Sequence, residues 1–253
     1  MKRVKNALDK GVGYAVLDRL SLKRYTEEEA IAVHWLLGSL MALPVAQKWN
    51  GQMIHHVTDR GMKGENSEQS TAGIKFHTDG PHALTPPQYL GLLCLRRARK
   101  GGKSLVVSWS AVFNELLHNH PDVLQRGFRA FPIQRPERSR APDSPPVMSK
   151  PYMFMDRGGL RMHYSSHKPR EGAKIAGRTL DEEGRKFLDT VDSILAKPHM
   201  HHEFYLQRGQ IEFLNNSAVG HERTPFEDYP EPRRKRHLVR IYFREQGRIS
   251  YDG

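Results

Sequence analysis

An imidazole and a carboxylate stand two residues apart in the stretch GIKFHTDGPH, residues 73–82. If GIKF is a strand, His77 and Asp79 project to the same face, because strand side chains alternate with period two. They could then share one metal ion at the point where an apolar strand runs into the turn DGPH. Counting does not single the pair out. With 14 His in 253 residues, about one His-x-Asp pair arises by chance, and the chain has a second, His120 and Asp122, besides the His-x-Glu pair His201 and Glu203. Context separates them. Pro121-Asp122 suits the first turn of a short helix, where the missing proline donor is not needed and an acid meets the positive end of the dipole. His201 and Glu203 open the run HHEFYL beside His199 and His202, where a solvated strand end is favoured over a histidine-rich metal patch.

Two donors do not make a catalytic iron site. The usual set is two histidines and one carboxylate on one face, leaving three positions for substrate and oxygen. The best third donor is His221, 144 residues after His77; its competing reading is a loop histidine paired with Glu222 or Glu227. Fifteen residues further on, Arg236 heads the run RHLVRIYF. As a strand, that run puts Arg236, Leu238, Arg240 and Tyr242 on one face and His237, Val239, Ile241 and Phe243 on the other. A buried guanidinium needs an anion to offset desolvation. No acidic residue alternates with the arginines, so a small-molecule acid is a natural partner, with a salt bridge to another strand as the alternative.

The elements that must position these residues are mostly β. Strands are expected in GVGYAVL, QMIHHVTD, GIKFHTD, YLGLLCLRR, SLVVSW and RHLVRIYF. YMFMDRGGLRMHYS reads as a hairpin turning at residues 156–159, and HEFYLQRGQIEFLNN as another turning at Arg208-Gly209. Thr26 to Glu29 forms a capping box for a helix over about 27–41. SAVFNELLHNH reads as an amphipathic helix capped by Ser108 or Ser110, and Thr179 to Glu182 opens a further capped helix to about residue 196. Many short strands with turns between them, and helices to cover an outer face, suit a double-stranded β-helix or jelly roll. A doubly wound sheet suits less, because strands and helices do not alternate and no glycine-rich phosphate loop follows a strand.

Evenly spread prolines and glycines leave no linker tract, so residues 1–253 read as a single domain with a sizeable core. The one cysteine, Cys94, sits in an apolar run and fits a reducing, cytoplasmic setting. Asp9 and Lys10 interrupt what a secretory signal would need as a continuous apolar core. The longest mostly apolar stretch, AIAVHWLLGSLMALPVA, is cut by Pro44 and falls short of the roughly 18 residues of a membrane span. The formal charge of +12 is concentrated in residues 95–103, 125–140 and 232–236, and implies an anionic partner or a solvated basic surface. A nucleic-acid module would need interleaved exposed aromatics or a docking motif, and the sequence offers neither.

Taken together and in order, FHTDGPH, ARKGGKS and FLNNSAVGHERTPFEDYPEPRRKRHLVRIYF resemble the taurine dioxygenase and clavaminate synthase-like superfamily of iron(II)/2-oxoglutarate-dependent oxygenases. The resemblance runs from about residue 11 to the end. It implies a mainly β chain with flanking helices around a double-stranded β-helix (jelly-roll, cupin-like) core, and Fe(II) held by His77, Asp79 and His221. It also implies that Arg236 and the hydroxyl of Ser104, where threonine is more usual, receive the far carboxylate of the cosubstrate 2-oxoglutarate. With O2, such an enzyme hydroxylates an unactivated C–H bond and releases succinate and CO2; desaturation and cyclisation belong to the same chemistry. Halogenating relatives lack the carboxylate, so Asp79 favours hydroxylation. Arg240 stands where relatives can bind an acidic substrate group, and His82 and Asn216 are further candidate substrate contacts, as are His55, His56, Asn66 and Gln69. The substrate implied is a small acidic or amino-acid-like metabolite. A metal jelly roll that does not use 2-oxoglutarate is the rival enzyme, and it leaves Arg236 and Ser104 unexplained.

Overall fold

The apolar runs become the strands of two facing sheets in a computed structural model that describes residues 1–61, 70–141, 143–156 and 159–251. In chain order, α1 (Lys2–Lys10) is followed by β1 (Tyr14–Leu17), α2 (Glu27–Ser39), β2 (Leu43–Val45), β3 (Ile54–Thr58) and β4 (Ile74–His77). Next come β5 (Tyr89–Arg96), β6 (Lys100–Gly101), β7 (Ser104–Ser108), α3 (Trp109–Asn119), α4 (Pro121–Leu124), β8 (Ala130–Gln134) and β9 (Val147–Pro151). The chain continues through β10 (Met153–Asp156), β11 (Gly159–Met162), α5 (Lys168–Ile175) and α6 (Glu182–Leu195). It ends with β12 (His201–Phe204), β13 (Ile211–Asn215), β14 (Val219–Arg223), β15 (Phe226–Glu227) and β16 (His237–Arg244).

The larger sheet runs β1-β13-β5-β16-β2, with β3 also on β16, and the smaller runs β12-β7-β14-β4. Every pairing in both is antiparallel. Val45, Leu90, Leu214 and Tyr242 of the larger sheet meet Val106 and Val219 of the smaller across a common interior. This is the double-stranded β-helix expected from the sequence. β16 shows how the two faces divide: Val239, Ile241 and Phe243 pack outward against α1 and α2, while Leu238 and Tyr242 join the interior. Gly38 lets α2 lie close on that sheet, since a Cβ there would overlap the Phe243 ring. The outer face of the smaller sheet is covered by α3, α6 and the β8–β11 region through Leu105, Val107, Trp109, Phe131 and Phe187.

Three local readings are corrected. HEFYLQRGQIEFLNN is not a hairpin: β12 pairs with β7 in the smaller sheet and β13 with β1 and β5 in the larger. All five residues of β13 are buried, as in a strand covered on both faces in mid-sheet, and the chain crosses between sheets at Arg208-Gly209. α6 is capped by Asp181, whose carboxylate accepts from the Gly184 amide at 2.7 Å, and not by Thr179. Ser108 holds the N-cap position of α3 without a side-chain capping bond. The Thr26/Glu29 capping box forms as read. β10 and β11 pair as expected, with Arg157 and Gly158 of their turn, like Asn66 and Gln69, outside the described residues. α1, α5 and the short β2 and β8–β9 pieces were not anticipated. Among the described residues, no helix is long and apolar enough to cross a membrane.

Candidate metal centre and arginine strand

His77 ends β4, and His221 lies in the middle of β14, directly opposite it in the antiparallel register. The pairing sets the two rings 4.2 Å apart between centroids, so His221 is a strand residue, not a loop histidine held by Glu222 or Glu227. Asp79 lies just past β4, where the backbone is pinned from two sides. The Asp79 amide donates to Asn216 Oδ1 at 2.8 Å, and Asn216 Nδ2 donates back to the Asp79 carbonyl at 2.8 Å and to Pro87 at 3.0 Å. The Thr78 amide donates to the Tyr164 carbonyl at 3.0 Å, and the Tyr164 amide donates to Thr78 Oγ1 at 2.9 Å. Asn216 is fully buried in this clamp, which corrects its expected role as a substrate contact. The Asp79 Oδ1 atom lies 3.3 Å from His77 Nε2 and 3.8 Å from His221 Nε2.

The protons follow from the partners. His77 Nδ1 lies 2.9 Å from the Lys75 carbonyl, which can only accept, so Nδ1 carries hydrogen and Nε2 faces Asp79. Burial, with the nearby His77 and Arg240, pushes His221 down to about 3. Burial by itself would raise the Asp79 carboxyl, but Arg240, the His77 hydrogen bond and His221 hold it well below the usual carboxylate range. Arg240 Nη1 donates to Asp79 Oδ2 at 3.0 Å and its Nε donates to Gln47 Oε1 at 2.9 Å. Gln47 Nε2 in turn donates to the Met53 and Arg240 carbonyls, at 2.6 and 3.0 Å. The Gln47–Arg240 pair thus fixes Oδ2 and turns Oδ1 toward the imidazoles. Gln47 carried no signal in the sequence; a lone glutamine after a short strand is ordinary.

Arg240 therefore answers a protein carboxylate, the salt-bridge alternative left open above. His82 follows Asp79 on the next turn and is half-buried. His55 is buried, and His56 Nδ1 contacts His237 Nε2 at 2.8 Å on the side of β16 away from Arg240. His201 packs on Phe76, and Glu203 pairs with Lys103 at 2.7 Å, which makes that pair a strand edge. Among the described residues, the one grouping of three or more His, Cys, Asp or Glu whose ligating atoms converge is His77, Asp79 and His221, all within 4.8 Å. The donor set fits a divalent iron: two imidazole nitrogens and a monodentate carboxylate on one side. With Nδ1 committed to the Lys75 carbonyl, Nε2 is the nitrogen that His77 can offer a cation, beside the Asp79 carboxylate oxygen at 3.3 Å.

Arg236 precedes β16 and is 6% exposed. Its amide donates to Asp228 Oδ1 at 2.7 Å, and its guanidinium lies over the Phe226 ring, 5.3 Å from the centroid. Cys94, Gly101, Gly102, Leu206 and Leu238 share the narrow cleft around it. Gly101 and Gly102 both take the left-handed region, at φ +74° and +71°, and a Cβ at Gly102 would lie 3.4 Å from Arg236 Nε. A Cβ at Gly101 would lie 2.3 Å from the Pro225 carbonyl oxygen, so glycine there lets this turn pass close to the backbone before β15. Ser104 opens β7 just beyond, its hydroxyl 3.5 Å from Glu212 Oε2.

Glu212, 1% exposed on β13, is an acid the sequence reading missed, because β16 itself carries none and Glu212 comes from two strands away. Burial pushes its carboxyl up to about 7, against the Ser104 hydrogen bond and the Arg236 charge. Raised from an ordinary 4.5, such a group favours folding fully below 4.5 and loses that contribution as pH rises through 7. Denaturant unfolding should show Glu212→Gln losing about 3 kcal/mol less stability than the native chain between pH 4.5 and 7.5; equal losses would contradict the assignment.

The family model for the taurine catabolism dioxygenase TauD, TfdA family matches residues 1–242. The chain is 26% identical over 246 residues to FR-33289 synthase of Streptomyces rubellomurinus, spanning 95% of this chain and 72% of that protein. It is 27% identical over 244 residues to the taurine hydroxylase-like protein SAT17 of Stachybotrys chartarum, spanning 90% and 60%. Uridine-5'-phosphate dioxygenase of an Amycolatopsis species is 28% identical over 183 residues, 72% of this chain and 64% of that protein. Asparagine oxygenase, solved with Fe(II), 3-hydroxyasparagine and succinate, superposes with a TM-score of 0.76 at 17% identity, covering 96% of this chain and 78% of that one. The non-heme iron oxygenase OrfP, solved with Fe and alpha-ketoglutaric acid, gives 0.68 at 17% identity, covering 97% and 80%. The structural likenesses bear on the fold, and the sequence match on descent: the chain belongs to the taurine catabolism dioxygenase TauD, TfdA family and is an iron(II)- and 2-oxoglutarate-dependent oxygenase.

Proposed function

We propose that His77, Asp79 and His221 hold the Fe(II), that Arg236 and Ser104 receive the distal carboxylate of 2-oxoglutarate, and that the enzyme hydroxylates a C–H bond of a small acidic or amino-acid-like metabolite. The observation that carries this is the convergence of three donor atoms within 4.8 Å, with one carboxylate oxygen already taken by Arg240. Bound iron with 2-oxoglutarate and O2 supplies the oxidising power and yields succinate and CO2. The protein's own part is to hold the imidazole tautomer through Lys75, the carboxylate rotamer through Arg240 and Gln47, and an always charged, desolvated clamp at Arg236. The Asp79 carboxylate fills the position that halogenating relatives leave open, which favours hydroxylation over halogenation.

The relatives' names mention taurine, uridine 5'-phosphate, hydroxyasparagine and hydroxyarginine, all small and charged. They support a small polar substrate without choosing one. Residues 1–253 act as one domain in this reading, and the buried Cys94, its thiol pushed up to about 11 by burial, suits a cytoplasmic setting. Anaerobic addition of Fe(II) and then 2-oxoglutarate should produce a visible metal-to-ligand charge-transfer band. Folded, iron-loaded protein without the band would overturn the proposal. Screening metabolites for stimulated succinate release then identifies the substrate.

A further inference from the structure

Glu212 is the one acid on β13, and its side chain reaches from the larger sheet to Ser104 of the smaller. It is buried; its Oε1 has no hydrogen-bond partner among the described residues, and its Oε2 lies 3.5 Å from Ser104 Oγ. That separation is longer than a closed O–H···O bond, so the Ser104 hydrogen can turn to another oxygen. The groups that surround the acid come from each neighbouring element. In the strand register its partners are Val16 of β1 and Leu92 of β5, both apolar. Tyr14, two residues before Val16, bears on Glu212 by charge and stacks on His202 and Phe204 of β12. Arg223, the register partner of Ser104 on β14, donates to the Ser70 and Ala72 carbonyls. Arg236 is the cation whose charge bears on Glu212, and Cys94 and Asp228 bear on Arg236 in turn. A single acid is thus buried beside the hydroxyl and the guanidinium assigned above to 2-oxoglutarate.

The protonation state of Glu212 decides what Ser104 can do. An ionised Glu212 would set a second carboxylate beside the far carboxylate of the cosubstrate in a dry space, and would draw the one hydroxyl hydrogen of Ser104 to itself. The neutral acid adds no like charge. Its O–H can donate to Ser104 Oγ, which leaves the serine hydrogen to donate to the cosubstrate. We propose that Glu212 is a positioning residue for 2-oxoglutarate: it acts through Ser104, it must be protonated for the cosubstrate to bind, and an ionised Glu212 takes up one proton from the solvent on binding. The proposal rests on the assignment of Ser104 and Arg236 to the far carboxylate. Burial, which pushes the Glu212 carboxyl up to about 7, sets where the proton is lost. Cosubstrate affinity is then full below pH 7 and falls as pH rises through it.

Anaerobic titration of the iron-loaded full chain, read by the charge-transfer band, tests this. From about pH 6 to about pH 8 the Kd for 2-oxoglutarate should rise about tenfold, as the loss of one proton requires over the unit above 7. The Kd for 2-oxopentanoate, the same chain without the far carboxylate, should stay within about threefold over that range. Glu212→Gln, which donates at every pH, should bind 2-oxoglutarate near the native strength at about pH 6 and lose the slope. Glu212→Leu should also lose the slope but bind about two- to tenfold more weakly at about pH 6, the worth of one hydrogen bond. Calorimetry of the native chain in buffers of different ionisation heat needs no variant. It should show close to one proton taken up per 2-oxoglutarate at about pH 8 and few at about pH 6. A native Kd independent of pH, the native slope retained in Glu212→Gln, an equal slope with 2-oxopentanoate, or no proton uptake at about pH 8 would overturn the proposal. A band without the slope rejects this inference alone; folded, iron-loaded protein with no band rejects the oxygenase reading and this inference with it.

Discussion

Asp79→Ala should reduce iron affinity by more than about a hundredfold and turnover, read as succinate release, to below about a thousandth of the native rate. The first figure follows from losing a coordinating oxygen, when even outer partners of a ligand cost ten- to a hundredfold. The second follows because a metal centre supplies several kcal/mol of stabilisation and each 1.36 kcal/mol is tenfold in rate. The substitution also strips Arg240 of the carboxylate at 3.0 Å, so a drop in thermal stability should accompany it. Asp79→Ala/Arg240→Gln separates the two effects: it should recover stability and remain inactive. Succinate-coupled product at the native level in Asp79→Ala would remove Asp79 from the ligand set.

Arg236→Ala should weaken 2-oxoglutarate by about 10² to 10³-fold while leaving iron affinity within about threefold. Removing one partner of a buried, hydrogen-bonded charge pair costs roughly 2–5 kcal/mol, which sets that range. The charge-transfer band titrated with 2-oxoglutarate reads the cosubstrate, and competition with a chelator reads the iron. Arg236→Lys should recover part of the affinity, because a point charge replaces the planar fork. Equal losses of iron and 2-oxoglutarate would undercut the assignment and make Arg236 a structural residue of the cleft formed with Gly102 and Leu238.

Most of the strands and the main helices were legible because their cues are local. The Thr26/Glu29 box fixed the start of α2, and alternation along RHLVRIYF gave the two faces of β16 that the core clusters bear out. The crossing at Arg208-Gly209 was misread because two adjacent strand runs look alike whether they pair with each other or enter different sheets. α1 and α5 were missed for a related reason: their helices are held chiefly by packing, as with Leu8 under the larger sheet and Gly172 against β8, and not by strong terminal signals.

The residues of the site divide in the same way. His77 and Asp79 could be paired from the chain alone, since two positions on one extended segment have a fixed relation. His221 could be named from its company in the sequence, but that it faces His77 depends on the β4–β14 register. The roles of Arg240, Asn216, Gln47 and Glu212 were decided by folding alone. Arg240 meets Asp79 across 161 residues, Asn216 clamps Asp79 across 137, and Glu212 reaches Ser104 across 108. Sequence thus determined which donors and cations this protein possesses and how neighbours along a strand are oriented. Tertiary structure decided which of them share a low-dielectric space, because that depends on contacts between distant segments, to which composition and periodicity carry no pointer.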